Sequence, residues 1–251
     1  MGTHDATTVN RDYYERTTAG REDYWRKMAA PRHRVEVMRE VVRSLNPTAV
    51  VDLGCGNGVL MTELRDVAPN AQWSGLDLSR PQVAENVRLL PWGTFLDGNL
   101  EHPFPDDFAW LGKFDLAIAT EVIEHLDSPG TFLENAGRLL KPGGTLVLST
   151  QSGPIRETEQ RVGHRRHYSQ REMSELLTQH RFTPVRVWNT GFPFHDLSKW
   201  YANLNPDQSM SQFGEGAYGF KENAVCAALR LAFKFNSPST GAQLFAIARK
   251  A

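Results

Sequence analysis

Residues 49–58 read AVVDLGCGNG, Ala49 to Gly58: an apolar run with an acid near its end, then glycines at 54, 56 and 58. The run is short and apolar on both alternate faces, which predicts a strand buried on both sides in a parallel sheet. Glycines after a strand commonly make a turn that cradles nucleotide phosphates. The dinucleotide pattern G-x-G-x-x-G needs its last glycine where the helix packs on the strand, and that position is Val59. The spacing here is G-x-G-x-G. A second apolar segment ends in Gly75-Leu76-Asp77, so an acid lies 23 residues beyond Gly54. A carboxylate on the neighbouring strand end accepts both hydroxyl protons of a ribose and repels a 2′-phosphate.

Outward from this stretch the chain alternates. Val35, Met38, Val41, Val42 and Leu45 mark a helix over 34–45 that Asn46-Pro47 ends. Val59, Leu60, Leu64 and Val67 mark another, closed at Pro69-Asn70. Strands are predicted at 72–78, 94–96, 114–120, 145–150, 185–189 and 243–248, and helices at 81–90, 128–140 and 170–179. Lys141 to Gly144 (KPGG) is read as a turn. Seven short strands alternating with helices predict an α/β fold, a doubly wound, seven-stranded, mostly parallel Rossmann-like sheet. Its ligands belong at the C-terminal ends of the strands. N-terminal helices precede it and a helical insertion precedes the last strand. Residues 151–168 and 191–240 interrupt the rhythm and read as substrate lids, with peripheral decoration as the plain alternative.

Composition narrows the function classes. Lysine and arginine number 28 against 29 acidic residues, so no electrostatic case for a nucleic-acid partner arises. Two cysteines, Cys55 and Cys226, offer neither a disulfide framework nor a zinc cluster. The first twenty residues are polar and lack the apolar core of a secretory signal, and 1–8 read as disordered. No run approaches the ~18 apolar residues of a membrane span. The expectation is a cytoplasmic protein, monomer or homodimer.

Four motifs in order carry a resemblance. VVDLGCGNG, the strand end GLDLS, FDLAIATEVIEHL (114–126) and LLKPGGTLVLST together resemble the class I S-adenosylmethionine (SAM)-dependent methyltransferases. Within that family the chain is closest to the ubiquinone-biosynthesis type and other small-molecule O-methyltransferases. The resemblance implies an antiparallel seventh strand at 243–248 and SAM as cofactor, with S-adenosylhomocysteine (SAH) as product. It implies one methyltransferase domain over 1–251: an N-terminal helical lid (1–45), a SAM-binding core (46–190), a substrate-lid insertion (191–240) and the last strand (241–251). The cofactor-binding positions it implies are Arg34 before the first motif, then Asp52, Gly54, Cys55 and Gly56. Asp77 and Leu78 follow at the ribose, Gly98, Asn99 and Leu100 at the adenine, and Thr120 and Glu121 beneath the methionine. The family often has an acid where Asn99 stands; Asp97 competes for that place. Cys55 needs only to be small, and a nucleophilic role is not expected of it.

For a hydroxyl acceptor the chemistry calls for a base or a metal. The resemblance offers Glu121, Glu124 and His125 as ligands of a divalent ion such as magnesium. His125, His164 and His167 are the catalytic candidates, the last two within GHRRHY (163–168) and undecided between them. Tyr13, Tyr14, Tyr24 and Trp25 are candidates for a lid over SAM. Phe192, Phe194, His195, Trp200 and Tyr201 are candidates for an apolar acceptor pocket. Residues 224–235 read as core packing. The expected activity is methyl transfer to a small-molecule acceptor, at oxygen. The competing readings are a small-RNA 2′-O-methyltransferase and a non-catalytic SAM-binding accessory protein.

Overall fold

The computed structural model describes residues 22–213 and 218–251. Tyr13, Tyr14 and the first eight residues lie outside that range. Elements follow the chain as α1 (Glu22–Lys27), α2 (Ala29–Leu45), β1 (Ala49–Leu53), α3 (Val59–Leu64), β2 (Gln72–Asp77), α4 (Arg80–Leu89), β3 (Thr94–Asp97) and β4 (Phe114–Thr120). Then come α5 (Pro129–Leu139), β5 (Leu140–Gln151), α6 (Glu157–Arg161), α7 (Gln170–Gln179), β6 (Phe182–Thr190), α8 (Phe194–Ala202), α9 (Pro206–Phe213), α10 (Phe220–Phe233) and β7 (Gln243–Lys250).

The seven strands form one sheet in the order β3-β2-β1-β4-β5-β7-β6. β1 pairs in parallel with β2 and β4, and β4 with β5, whereas β7 runs antiparallel to both β5 and β6. The strand order reverses between β1 and β4, which opens the crevice at their C-terminal ends. Alternation in β1 sorts its side chains between two cores. Val51 and Leu53 join Phe132, Leu133, Met173 and Leu177 on the α5–α7 face. Val50 joins Val35, Met38, Val42, Leu60 and Leu64 on the α2–α3 face. Covering both faces is why the strand reads as an unbroken apolar run.

Three boundaries differ from expectation by three residues or more, and the others by two at most. α2 starts at Ala29, five residues early, because Pro31 falls in its first turn, where a missing N–H breaks no helical bond. KPGG lies inside β5: Leu140 already pairs with Phe114, and the register shifts before Leu116 meets Thr145. A bulge absorbs the glycines that read as a turn. β6 begins three residues before the expected strand and carries Pro184, which the sheet edge tolerates. α10 differs in packing, since of the 224–235 stretch Cys226 and Phe233 are buried while Val225, Leu231 and Phe235 are exposed.

Candidate active site

The glycine loop is shaped by its own backbone and by β2. Gly54 N–H donates to the Leu76 carbonyl at 2.7 Å, and Gly54, Gly56 and Gly58 all take positive φ. A Cβ on Gly54 would lie 2.6 Å from Val122 Cγ2, so the loops after β1 and β4 touch through the missing side chain. A Cβ on Gly56 would meet nothing within 4 Å. That space is a cradle a side chain would fill, and it fits a ligand that lies against the backbone.

Asp77 closes the loop: its carboxylate accepts from Gly56 N–H at 2.7 Å and from Ser79 N–H at 2.9 Å. Burial raises its pKa against the pull of those amides. Asp52, at the end of β1, is buried with one oxygen unpartnered; desolvation and the Asp77 charge push it up to about 7. The Cys55 thiol is buried and pushed well up by burial, which suits a small filler and not a nucleophile. Asn86, from α4, donates to the Gly56 carbonyl at 2.6 Å and was not among the expected residues. An asparagine in mid-helix carries no motif; its burial at 2% is what marks it.

On the β3 side, Gly98 N–H donates to the Asp77 carbonyl at 2.9 Å, which places Gly98, Asn99 and Leu100 beside Asp77. Asn99 Oδ1 accepts from Glu101 N–H at 2.9 Å, and Asp97 pairs with exposed Arg80 at 3.1 Å. Leu78 is half-buried and Leu100 buried.

Beyond Thr120 the backbone turns sharply at Glu121, a non-glycine residue with φ 55°. Strain of this kind persists where surrounding contacts over-determine it. The Glu121 carboxylate accepts from Gln243 Nε2 at 2.8 Å and Gln151 Nε2 at 2.7 Å, and faces Arg34 Nη1 at 3.6 Å. Burial alone would raise its pKa, but Arg34 and the two amides hold it at about 2. Arg34 is itself buried, with Nε unpartnered and its guanidinium 5.7 Å from the Trp25 ring. Its position inside α2, sealed against the site, rules out a solvated helix charge.

Glu124 and His125 sit one turn further, in a 3-10 turn over Ile123–His125. Glu124 is fully buried; Thr150 donates to one oxygen at 2.9 Å while the other has no hydrogen-bond partner. Desolvation and the nearby Glu121 charge push its pKa well up, which favours its protonated form. The Glu124 carbonyl accepts from Arg165 N–H at 2.7 Å, which draws the GHRRHY segment onto this turn. The His125 and His164 rings meet edge to face, centroids 4.7 Å apart, and the His164 and His167 rings at 5.2 Å. His164 Nδ1 lies 2.9 Å from His167 Nε2, and His167 Nδ1 lies 3.0 Å from the Gly153 carbonyl. His164 is therefore the inner histidine and His167 the outer. Burial lowers His125 to about 4, and burial with the neighbouring His125 lowers His164 to about 3.

The expected ligand trio is revised. Among the described residues, the group whose ligand atoms lie within 4.8 Å of one another is Glu124, His125 and His164. Glu121 is drawn away by Arg34 and the Gln151 and Gln243 amides. The expected aromatic pocket is also revised: Phe192, Trp200 and Tyr201 are mostly exposed, and His195 is buried.

The insertion reaches the site through Lys199 of α8. Its ammonium bonds Gln151 Oε1 at 2.8 Å and Glu159 Oε1 at 2.8 Å, with both ionic side chains largely buried. Asn203 Oδ1 accepts from Thr158 N–H at 3.0 Å, and Arg161 pairs with Asp207. α6, α8 and α9 thus form one tied unit over the strand ends.

A family model described as "Methyltransferase domain" matches residues 24–187. A probable S-adenosylmethionine-dependent methyltransferase of Mycolicibacterium smegmatis is 33% identical over 170 residues, covering 65% of this chain and 62% of that protein. A ubiquinone biosynthesis O-methyltransferase of Nitrobacter winogradskyi is 30% identical over 162 residues, covering 57% and 61%. The match thus spans about three fifths of these relatives. The Burkholderia thailandensis 1,6-didemethyltoxoflavin-N1-methyltransferase, solved with 1,6-didemethyltoxoflavin and SAH, superposes with a TM-score of 0.61, covering 100% of this chain and 91% of that one. At 16% identity that likeness is one of fold.

Proposed function

The chain belongs to the methyltransferase domain family, and we propose that it transfers the methyl group of SAM to a hydroxyl oxygen of a small molecule. SAM supplies the carbon on a sulfonium, so the protein must align an acceptor, exclude water and take one proton. Gly54 and Gly56 leave room for the methionine and ribose parts, beside Asp52 and the Cys55 backbone. Asp77 accepts from the ribose hydroxyls, with Leu78 against the sugar. Gly98, Asn99 and Leu100 border the adenine, and Thr120 and Glu121 form the floor under the methionine. Arg34 offers its unpartnered Nε to the amino-acid carboxylate.

The observation that carries the oxygen acceptor is the buried His125–His164 pair. Both rings are neutral at physiological pH, so either holds a lone pair ready for a hydroxyl proton. His164 is assigned that role, with His125 packing against it. As the acceptor oxygen bonds to carbon and the carbon–sulfur bond breaks, the hydroxyl proton passes to His164. Helix α1 and the 191–240 insertion act as the lids, while α2 is packed into the core, and Lys199 ties the insertion to the site. Calorimetry with SAM and SAH tests the cofactor. Methyl transfer to a panel of phenols, carried out beside His164→Gln, tests the acceptor class; binding without transfer to any hydroxyl would overturn it.

A metal reading has one observation of its own: ligand atoms of Glu124, His125 and His164 lie within 4.8 Å of one another, and Glu124 has one oxygen without a hydrogen-bond partner among the described residues. One carboxylate and two histidines suit a transition ion such as zinc or manganese better than magnesium, which prefers an all-oxygen shell. Such an ion would lower the acceptor hydroxyl's pKa. Elemental analysis of the purified protein tests it.

A further inference from the structure

We infer that His167 is a positioning residue that fixes the tautomer of His164, leaving Nε2 as the nitrogen that carries the lone pair into the site. The inference rests on the reading of His164 as the proton acceptor, but its geometry is independent of any acceptor. The tautomer is set from a backbone atom. A carbonyl oxygen only accepts, so at 3.0 Å from Gly153 the His167 Nδ1 must be the N–H donor. A neutral imidazole carries one N–H, so His167 Nε2 is then an acceptor. At 2.9 Å from it, His164 Nδ1 must donate. His164 has then spent its one N–H on His167, and Nε2 is left bare.

At pH 8, above the ordinary imidazole value of about 6.5, each ring carries one N–H, and burial shifts both rings further in that direction. The Gly153 carbonyl is available because its residue adopts φ +83°, a turn made directly after β5. The residue is anchored as well, since the His164 backbone N–H donates to the Glu159 carbonyl at 3.0 Å and the His125 ring packs edge-on against the imidazole. Without the His167 acceptor, His164 Nδ1–H would be buried with no partner, and the ring would favour the tautomer that protonates Nε2. That tautomer presents an N–H where a hydroxyl proton has to go. Wrong-tautomer histidines lose most of their activity with little change in structure.

The test reads the tautomer directly. Protein labelled with nitrogen-15 in histidine is studied at pH 8 by long-range proton–nitrogen correlation, with His164 assigned from the signals lost in His164→Gln. The expected spectrum shows His164 protonated at Nδ1 and bare at Nε2. In His167→Phe the pattern shifts toward Nε2–H, and kcat falls about 10–100-fold while KM for SAM stays put. In His167→Gln, whose Oε1 can stand where Nε2 stood, the Nδ1–H pattern returns and most of the rate with it. A wild-type spectrum with Nε2 protonated, an unshifted His167→Phe spectrum, or a His167→Gln protein as slow as His167→Phe would each overturn the inference. Because the spectrum needs no turnover, a protein that transfers no methyl group but shows the expected tautomer refutes the functional reading and leaves this one standing.

Discussion

Glu121 and Glu124, three residues apart, have their pKa values driven in opposite directions. Glu121 meets Arg34 and two amide donors and is held at about 2, whereas Glu124 has Thr150 as its side-chain partner and is pushed well up. Two carboxyls with opposed environments are a pattern that separates roles in a site. Glu124→Gln puts a near-isostere in place of a carboxyl whose ionised form burial disfavours, and it should change stability by less than about 1 kcal/mol. Glu121→Gln leaves the buried Arg34 without its counter-charge and should cost about 3 kcal/mol in a urea melt. Equal losses would sink the assignment.

The Asp77 contact with Gly56 gives a binding prediction. Asp77→Asn should weaken SAH binding about 10–100-fold by calorimetry, as expected for losing charged hydrogen bonds. Gly56→Val should do the same, since its side chain enters the open space beside the loop at a strained φ of 49°. Unchanged dissociation constants in both would remove the glycine loop from the cofactor site.

The depressed histidines predict the rate profile. A ring with pKa near 3 stays in its proton-accepting form until the pH approaches 3, so kcat should hold level from pH 8 down to pH 5.5. A base at the ordinary value of 6.5 would instead lose about tenfold by then. A fall in kcat centred on pH 6.5 would show that an exposed group, not His164, takes the proton.

Stability should respond to acid through His195. Burial lowers its pKa to about 3, so above 6.5 the ring is neutral in both states and contributes no pH dependence. As pH falls below 6.5 the unfolded chain takes up the proton first, and the folded state loses about 2 kcal/mol by pH 5. His195→Leu should show a shallower loss than wild type between pH 7 and pH 5 in thermal melts. Parallel curves would contradict the burial of this ring.

Lys199 and Glu159 should behave as one unit. Either Lys199→Met or Glu159→Gln leaves a buried charge unpaired and should cost about 2–4 kcal/mol, while the double variant recovers a large part of it. Additive losses would mean that the pair does not tie the insertion to the sheet.

The strand–glycine–helix unit was legible because its constraints are local. Val50, Val51 and Leu53 alternate between two cores, and Gly54 has no room for a side chain, which one stretch of ten residues records. Asp77 was legible because β2 pairs with β1 in register, Asp52 opposite Gly75, so strand ends that neighbour in the fold sit at a fixed sequence offset. The KPGG bulge was not, because a glycine run reads as a turn whether or not a neighbouring strand holds it in line.

By itself the sequence determined the seven-stranded sheet, the glycine loop and the set of titratable residues near the strand ends. Only the tertiary structure decided their states and partners. Gln243 reaches Glu121 across 122 positions, Lys199 reaches Gln151 across 48, and Arg34 arrives from a helix that precedes the first strand. Such contacts have no period and no spacing, so nothing in a linear pattern records them. Protonation follows from burial and neighbouring charge, which exist only once the chain has closed: that is why two glutamates in one short motif are shifted in opposite directions, and why His164 is the inner histidine of its segment and His167 the outer.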